Sequence, residues 1–213
     1  MWTAGITAAG TIGAAHIATR YAGRPAIAGL LKGVPIALLA ALVAAEPSVV
    51  GERYRWLVFA ALLCSLAGDL CLVFRRGFVP GLLSFLVAHV LYVTAFAPVG
   101  PGTAAAAGIF GAMSAFGMVM VGYLWRHLGR MRVPVMVYVI VIIVMGWSAV
   151  RRGLAPGAPG PSGMLALVGA LFFMVSDGVL AVARFARAFP AADAVVMTTY
   201  YLAQALIALS VRA

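Results

Sequence analysis

Residues 56–74, WLVFAALLCSLAGDLCLVF, form an apolar run in which the only carboxyl side chain is that of Asp69. A helix of about 20 apolar residues spans the hydrocarbon core of a bilayer, so this run predicts a transmembrane helix. Other apolar runs of similar length precede and follow it, separated by basic residues or by segments rich in Pro and Gly. The pattern predicts an all-α, polytopic membrane bundle of about eight transmembrane helices.

The composition of the whole chain agrees with this pattern. Of the 213 residues, 65% are hydrophobic and 9% are charged, whereas a soluble domain carries about 25% charged residues. Water is a poor solvent for a surface with so few charged groups, so most of the outer surface must face lipid. Residues 1–213 are therefore predicted to form a single transmembrane domain, without a soluble domain.

The breaks between the apolar runs set the expected helix bounds, with Pro- and Gly-rich breaks at 98–102 and 151–161. Pro35 is expected to bend the second helix, because proline interrupts the hydrogen bonding of a helix. The eight predicted spans lie at residues 3–19, 25–45, 56–74, 78–97, 103–124, 133–150, 162–184 and 191–211.

A short internal similarity relates the two halves of the chain. Gly68-Asp69 near the end of the third predicted helix resembles Ser176-Asp177 near the end of the seventh. Both pairs are followed by Arg, Phe and a further predicted helix. A 4+4 parallel repeat, in which two groups of four helices share one orientation, would produce this similarity.

The net charge of +10 comes from fifteen Lys and Arg residues against five Asp and Glu residues. Nearly all the basic residues lie between apolar runs, where they meet lipid headgroups, and no basic cluster is interleaved with aromatic residues. Membrane lipid is thus an expected partner and nucleic acid is not. The positive-inside rule predicts both termini outside a bacterial inner membrane, with the more basic loops in the cytoplasm. Those loops contain Arg20, Arg24, Arg75, Arg76, Arg126, Arg130, Arg132, Arg184 and Arg187.

Four ionisable residues, Lys32, Asp69, His89 and Asp177, fall inside the predicted helices. An ionisable group inside the bilayer is costly unless it faces the bundle interior and has a partner, so these residues predict a functional site. Both aspartates lie about 10 Å from the predicted cytoplasmic helix ends, with Lys32 at a similar depth and His89 nearer the midplane. We therefore expect one polar cavity that opens toward the cytoplasmic leaflet.

Further polar side chains share the cytoplasmic half of the helices or a helix face with these groups: Tyr92, Tyr138, Ser176, Tyr200 and Gln204. A purely structural interpretation is open for each residue. Lys32 can extend to the headgroups, the aspartates can form structural ion pairs, and His89 can be a buried hydrogen-bonding residue. Helical tyrosines are more often packing or interface residues than catalysts.

Metal and cofactor sites are not expected from this sequence. Its histidines, His16, His89 and His127, lie on unrelated helices and loops, and His16 and His127 fit no cluster. There is no His-Glu-x-x-His zinc motif, no Gly-rich phosphate loop and no Gly-x-Ser-x-Gly motif.

An ordered set of short motifs resembles the YhhN family, which includes the TMEM86 lysoplasmalogenases. The likeness extends from the second predicted helix to the eighth. Its motifs are Lys32-x-x-Pro35, Gly68-Asp69-x-x-Leu72, Phe85 to His89-x-x-Tyr92, Pro134-x-x-x-Tyr138, Phe172-x-x-x-Ser176-Asp177-x-x-Leu180, Arg184-Phe185 and Tyr200-Tyr201-x-x-Gln204.

This resemblance implies a membrane hydrolase that cleaves the vinyl ether bond of lysoplasmalogens, a class of lysophospholipid. The products would be a fatty aldehyde and a glycerophospho-headgroup, and no cofactor would be required. The two aspartates proposed as essential in the family align with Asp69 and Asp177. A buried carboxyl pair suits the reaction, since one acid protonates the vinyl ether while an ionised partner guides water or stabilises the cation.

The remaining polar residues would support that pair. Lys32 would stabilise the ionised carboxylate or meet the substrate phosphate, and His89, Tyr138 and Tyr200 would orient water or a glycerol hydroxyl. Three alternatives stay open: a hydrolase of another lysophospholipid, a proton-coupled transporter that uses the same buried acids, and a lipid-binding protein without chemistry.

Overall fold

The computed structural model describes residues 1–74, 76–97, 104–154 and 160–213, with the side chains of residues 105 and 106 excepted. The predicted break at 98–102, the predicted helix start at 103, Arg75 and part of the predicted break at 151–161 lie outside the described residues. All regular structure in the described ranges is helical. The helices are α1 (Trp2–Tyr21), α2 (Pro25–Lys32), α3 (Val34–Ala45), α4 (Glu52–Val73), α5 (Phe78–Ala95), α6 (Ala104–Leu124), a 3₁₀ turn (Gly129–Met131), α7 (Arg132–Leu154), α8 (Gly160–Ala181), a π-helical turn (Val182–Ala186) and α9 (Ala192–Leu209).

The predicted helical membrane bundle is confirmed. Among the described residues, seven helical spans are long and apolar enough to cross a bilayer. Helix α1 is not one of them, because its Ala, Gly and Thr residues make it less apolar; it packs along α2, α3 and α9. The seven spans are Pro25–Ala45, Glu52–Val73, Phe78–Ala95, Ala107–Leu124, Gly129–Leu154, Gly160–Ala186 and Ala192–Leu209.

The second predicted helix is interrupted where Pro35 was expected to bend it. Helix α2 ends at Lys32, Gly33 forms a turn, and α3 begins at Val34 with Pro35 in its first turn. Proline has no N–H to give to a preceding carbonyl, so the helix cannot continue through this position unbroken. The interruption leaves Lys32 at the end of a short helix, where its side chain reaches α4.

Two helices extend past the charged residues that were expected to limit them. Helix α4 begins at Glu52 rather than Trp56, and Arg55 pairs with Glu52 at 2.6 Å across its first turn. Helix α7 continues to Leu154 rather than ending at 150, and the guanidinium of Arg152 lies 4.1 Å from the centre of the Tyr54 ring. Glu52 is exposed at the start of α4, whereas Arg152 is buried against the Tyr54 ring, and neither charge ends its helix.

Helix packing follows the same plan in both halves of the chain. Helix α4 packs extensively on α5 in the first half, and α8 packs equally closely on α9 in the second. The halves meet where α5 packs on α7 and where α3 packs on α9. Helix α6 packs mainly on α7, so much of its surface remains on the outside of the bundle.

Gly68 allows the close contact between α4 and α5. A Cβ atom at this position would lie 2.7 Å from the Phe85 ring, which is closer than non-bonded carbon atoms approach. The ring itself is 8% exposed and packs within the core. The glycine that precedes Asp69 therefore allows α4 to approach the Phe85 ring of α5 closely.

Candidate active site

Asp69 lies at the centre of the first polar cluster, which we call the Asp69 cluster: Asp69, Lys32 and Tyr200. The Tyr200 hydroxyl of α9 donates a hydrogen bond of 2.7 Å to Oδ2, and the Lys32 ammonium lies 3.6 Å from Oδ1. The aspartate side chain is 2% exposed. Both carboxylate oxygens have a partner, and one of the partners is a cation.

The second polar cluster, the Asp177 cluster, comprises Asp177, Tyr138 and His89. The Tyr138 hydroxyl of α7 donates a hydrogen bond of 2.7 Å to Oδ2 of Asp177. The His89 Nε2 atom of α5 lies 3.5 Å from the same oxygen. Asp177 is 14% exposed, so its carboxyl group is more accessible than that of Asp69.

The His89 ring has a defined tautomer. Its Nδ1 atom lies 2.6 Å from the backbone carbonyl of Phe85, which only accepts hydrogen bonds, so Nδ1 carries a proton. In a neutral ring Nε2 is then a lone-pair acceptor facing a carboxyl oxygen, and the two atoms repel unless a proton lies between them. In the described part of the chain Nε2 has no hydrogen-bond partner, and a proton between it and Oδ2 of Asp177, 3.5 Å away, would form the missing bond.

Aromatic rings separate the two clusters. The Phe173 ring centre lies 4.6 Å from that of His89 and 5.5 Å from that of Tyr200. The Phe85 ring also packs on Tyr200, at 5.8 Å. Within the described residues, the hydrogen bonds and ion pairs of one cluster do not reach the other. The aspartates thus occupy two neighbouring clusters, where one polar cavity was expected, and Phe173 was missed because apolar residues are common throughout α8.

Three of the predicted site residues contact other groups. Tyr92 donates a hydrogen bond of 2.6 Å to the Gln204 side-chain oxygen, and both side chains are fully buried. This bond joins α5 to α9. The Ser176 hydroxyl donates to the backbone carbonyl of Val196, at 3.0 Å, and so joins α8 to α9. These contacts fix the helices that carry the two clusters.

Asp177 lines a cavity of about 90 Å³ between α5, α6, α7 and α8, which we call the apolar cavity. Apart from Tyr138, Asp177 and Arg184, the described residues that line it are apolar. Three of them are methionines, whose flexible side chains adapt to ligands of different shapes. Both polar contacts of Asp177 described above involve Oδ2. Its Oδ1 atom is therefore the carboxyl oxygen that a ligand would contact.

A second cavity of about 450 Å³, the basic cavity, lies beside the first. Its lining includes Lys32, Arg20 and Arg184, together with His16, which the sequence assigned to no cluster. The His16 Nδ1 atom lies 3.0 Å from the Tyr201 hydroxyl. In the described part of the chain, no three His, Cys, Asp or Glu side chains are grouped as a metal site would require.

Comparison with known proteins identifies the family. The model of the YhhN family matches residues 27–211. This chain belongs to the YhhN family. The matched region contains the Asp69 cluster and the Asp177 cluster completely, whereas all of α1 lies before it.

The relatives of this YhhN chain include animal and bacterial proteins. It is 40% identical to the human protein named lysoplasmalogenase TMEM86B over 186 residues, which are 86% of this chain and 74% of the human one. It is 38% identical to bovine lysoplasmalogenase TMEM86A, over 72% of this chain and 64% of the relative. A lysoplasmalogenase of Mycobacterium bovis is 33% identical, over 80% of this chain and 64% of the relative. No solved structure matches the chain.

Proposed function

We propose that this protein is a membrane hydrolase that cleaves the vinyl ether bond of lysoplasmalogens. The relatives named lysoplasmalogenase support the activity. The observation that carries the mechanism is the position of Asp177, whose carboxyl group lines the apolar cavity while His89 lies 3.5 Å from its Oδ2. Protonation of an alkenyl lipid requires an acid beside the site that holds the hydrocarbon chain, and Asp177 is in this position if the chain occupies the apolar cavity.

The first step transfers a proton from the Asp177 carboxyl group to the alkene carbon remote from the ether oxygen. The alkene electron pair forms the new C–H bond, and the carbon bound to oxygen becomes an oxocarbenium ion. Glycosidases form a similar cation by protonation with a carboxylic acid. His89 and Tyr138 hold the Asp177 carboxyl group in position, because both contact its Oδ2.

The second step adds water to the oxocarbenium carbon. The water loses one proton to the Asp177 carboxylate, which restores the acid and leaves a hemiacetal. The C–O bond to glycerol then breaks as the hemiacetal hydroxyl loses its proton and the glycerol oxygen gains one. One lipid and one water thus give one fatty aldehyde and one glycerophospho-headgroup, and no cofactor takes part.

Asp69 acts as the ionised carboxylate in this proposal. Lys32 balances its charge, and Tyr200 fixes its orientation at 2.7 Å. A fixed negative charge near the site favours the oxocarbenium ion over the neutral substrate, which lowers the barrier to protonation. Because Asp69 is buried behind the aromatic rings, it acts on the cation through space rather than by contact.

Incubation of the purified protein with lysoplasmenylethanolamine tests the proposed activity, with released aldehyde as the readout. A lysophosphatidylethanolamine of the same chain length serves as the matched ester control. Aldehyde from the first lipid and no fatty acid from the second is the expected result. Fatty acid from the ester would instead favour the other lysophospholipid hydrolase, and no turnover of either lipid would favour the transporter or the lipid-binding protein.

We also propose that the basic cavity opens to the cytoplasm and that both termini lie outside, which requires α1 to cross the bilayer beside the seven more apolar spans. The excess of arginine in the loops on that side supports this orientation. A cysteine at position 49, introduced as Val49→Cys after both native cysteines are replaced by serine, should react with an impermeant thiol reagent in intact cells. The corresponding Arg187→Cys protein should react only after the membrane is permeabilised. The reverse pattern would invert the topology.

A further inference from the structure

The apolar cavity and the basic cavity share part of their walls. Leu72, Phe78, Leu180 and Arg184 line both. The apolar cavity has few polar side chains besides Asp177, whereas the basic cavity has Arg20, Lys32 and Arg184 among mainly apolar residues. The two cavities are thus neighbours, and Asp177 lies three residues before the shared Leu180.

The cations of the basic cavity differ in their partners. Arg20 pairs with Asp193 at 2.9 Å, and Lys32 pairs with Asp69 at 3.6 Å. Arg184 forms no ion pair within the described part of the chain; its guanidinium instead lies 4.6 Å from the centre of the Phe78 ring. It is therefore the cation of this cavity that is available to an anionic ligand.

Local helix geometry places Arg184 in the shared wall of the two cavities. Helix α8 changes at Val182 into a π-helical turn, in which the Arg187 N–H donates to the Val182 carbonyl at 2.9 Å. A π-helical turn contains one extra residue, and such turns are frequent at functional sites. Arg184 follows Asp177 by seven residues, nearly two helical turns, so both side chains lie on one helix face and line the same apolar cavity.

We propose that Arg184 binds the phosphodiester of a single-chain phospholipid in the basic cavity while the hydrocarbon chain occupies the apolar cavity. This inference rests on the proposed function and adds to it the orientation of the substrate. The headgroup lies toward the loops of α1 and α9, the chain lies between α6 and α7, and the glycerol ether linkage lies beside Asp177. A guanidinium can give two parallel hydrogen bonds to a phosphate, which suits Arg184 for this role.

Binding measurements test the orientation without requiring turnover. The probes are lysophosphatidylcholine and a monoacylglycerol with the same acyl chain, which differ in the phosphocholine group. Arg184→Gln should weaken binding of lysophosphatidylcholine about tenfold and leave binding of the monoacylglycerol unchanged. Arg184→Lys should retain most of the affinity, since it keeps the charge. Arg187→Gln is the matched control, because Arg187 is exposed and lines neither cavity.

Several outcomes would overturn the proposal. Equal losses of affinity for both lipids in Arg184→Gln would mean that Arg184 maintains the fold rather than binding phosphate. The same conclusion would follow if Arg184→Lys lost as much affinity as Arg184→Gln. Equal effects of Arg184→Gln and Arg187→Gln would reduce its role to general surface charge. Competition by inorganic phosphate or glycerophosphocholine as strong as that by the intact lipid would indicate a site for a free phosphate compound.

The headgroup proposal and the proposed activity can fail separately. If the parent protein releases no aldehyde but shows the expected Arg184 selectivity in binding, the hydrolase assignment is wrong and the lipid orientation stands. If aldehyde is released and the KM for lysoplasmenylcholine is unchanged in Arg184→Gln, the activity stands and the headgroup site is wrong.

Discussion

The two aspartates have similar contact distances but different partners. Each Oδ2 accepts a tyrosine hydrogen bond of 2.7 Å, and each carboxyl group has a basic nitrogen at 3.5 or 3.6 Å. For Asp69 that nitrogen belongs to the Lys32 side chain, whereas for Asp177 it belongs to the His89 ring, whose other nitrogen donates to the Phe85 carbonyl. In the proposed mechanism the first cluster holds a fixed charge and the second exchanges a proton.

The partners also come from exchanged positions in the two halves of the bundle. In the Asp69 cluster, Lys32 comes from the same half as the aspartate and Tyr200 comes from the second half. In the Asp177 cluster, Tyr138 comes from the same half as the aspartate and His89 comes from the first half. Two similar helix pairs thus surround a carboxyl group with different partners, and the proposed mechanism assigns them different roles.

The largest expected effect is that of Asp177→Asn. Asparagine keeps the shape of the side chain but has no acidic proton, so turnover should fall at least about 1,000-fold, within the range lost with a general acid. Aldehyde release by the purified variant measures this effect, and an unchanged thermal unfolding temperature shows that the fold is retained. Turnover at the parent rate would remove Asp177 from the mechanism.

A smaller loss, about 10- to 100-fold, is expected for Asp69→Asn, because only the electrostatic stabilisation of the cation is removed. The ion pair provides a second test. Lys32→Met leaves a buried carboxylate without its cation and should destabilise the protein by about 3–5 kcal/mol.

The double variant Lys32→Met/Asp69→Asn should recover at least half of that stability, as measured by thermal unfolding in detergent. If the double variant is no more stable than Lys32→Met alone, the two side chains do not act as a pair. The contrast between the two clusters would then lose its electrostatic basis.

The sequence was sufficient to predict the bundle and the polar residues but not their grouping. Long apolar runs specify membrane helices, and acids such as Asp69 and Asp177 are conspicuous in them because ionisable groups are rare there. Which helices meet depends on side-chain packing between distant segments. For that reason the sequence did not predict that Tyr200 and His89 each contact an aspartate of the other half. It also did not predict that Phe173 lies between the two clusters.

Helix ends were also only partly predictable. Charged residues were expected to limit the helices, but Glu52 begins α4 and Arg152 lies within α7, where it packs on the Tyr54 ring. The break at Gly33 was indicated correctly by Pro35. Arg184 was predicted at the cytoplasmic end of the helix that carries Asp177, whereas the π-helical turn and the contact with the Phe78 ring were not predicted.

The two tyrosines allow a closely matched comparison. Tyr138→Phe and Tyr200→Phe each remove one hydroxyl that donates to an aspartate at 2.7 Å. We expect Tyr138→Phe to lower kcat about tenfold with little effect on stability, because the acid loses its orientation. Tyr200→Phe should lower stability by about 1.5–3 kcal/mol, the value of a hydrogen bond to a charged group, with a smaller change in kcat. Equal effects of the two variants on both quantities would show that the clusters do not differ in role.

The smallest expected effect concerns the apolar cavity, which adjoins the Asp177 cluster. Gly178 lines this cavity, and a Cβ atom there would have ordinary contact with Met120 at 3.9 Å, so a larger side chain extends into the cavity rather than into the helix packing. Gly178→Leu should shift the preference of the enzyme toward shorter alkenyl chains by about fourfold for each methylene displaced, since burying one methylene is worth about 0.8 kcal/mol. The measurement is kcat/KM across lysoplasmenylethanolamines of increasing chain length. Gly122→Leu on the open surface of α6 is the control, because a Cβ atom there meets nothing within 4 Å.

A uniform loss at every chain length would mean that the hydrocarbon chain lies outside the apolar cavity. Asp177 would then no longer be the acid that borders the hydrocarbon chain.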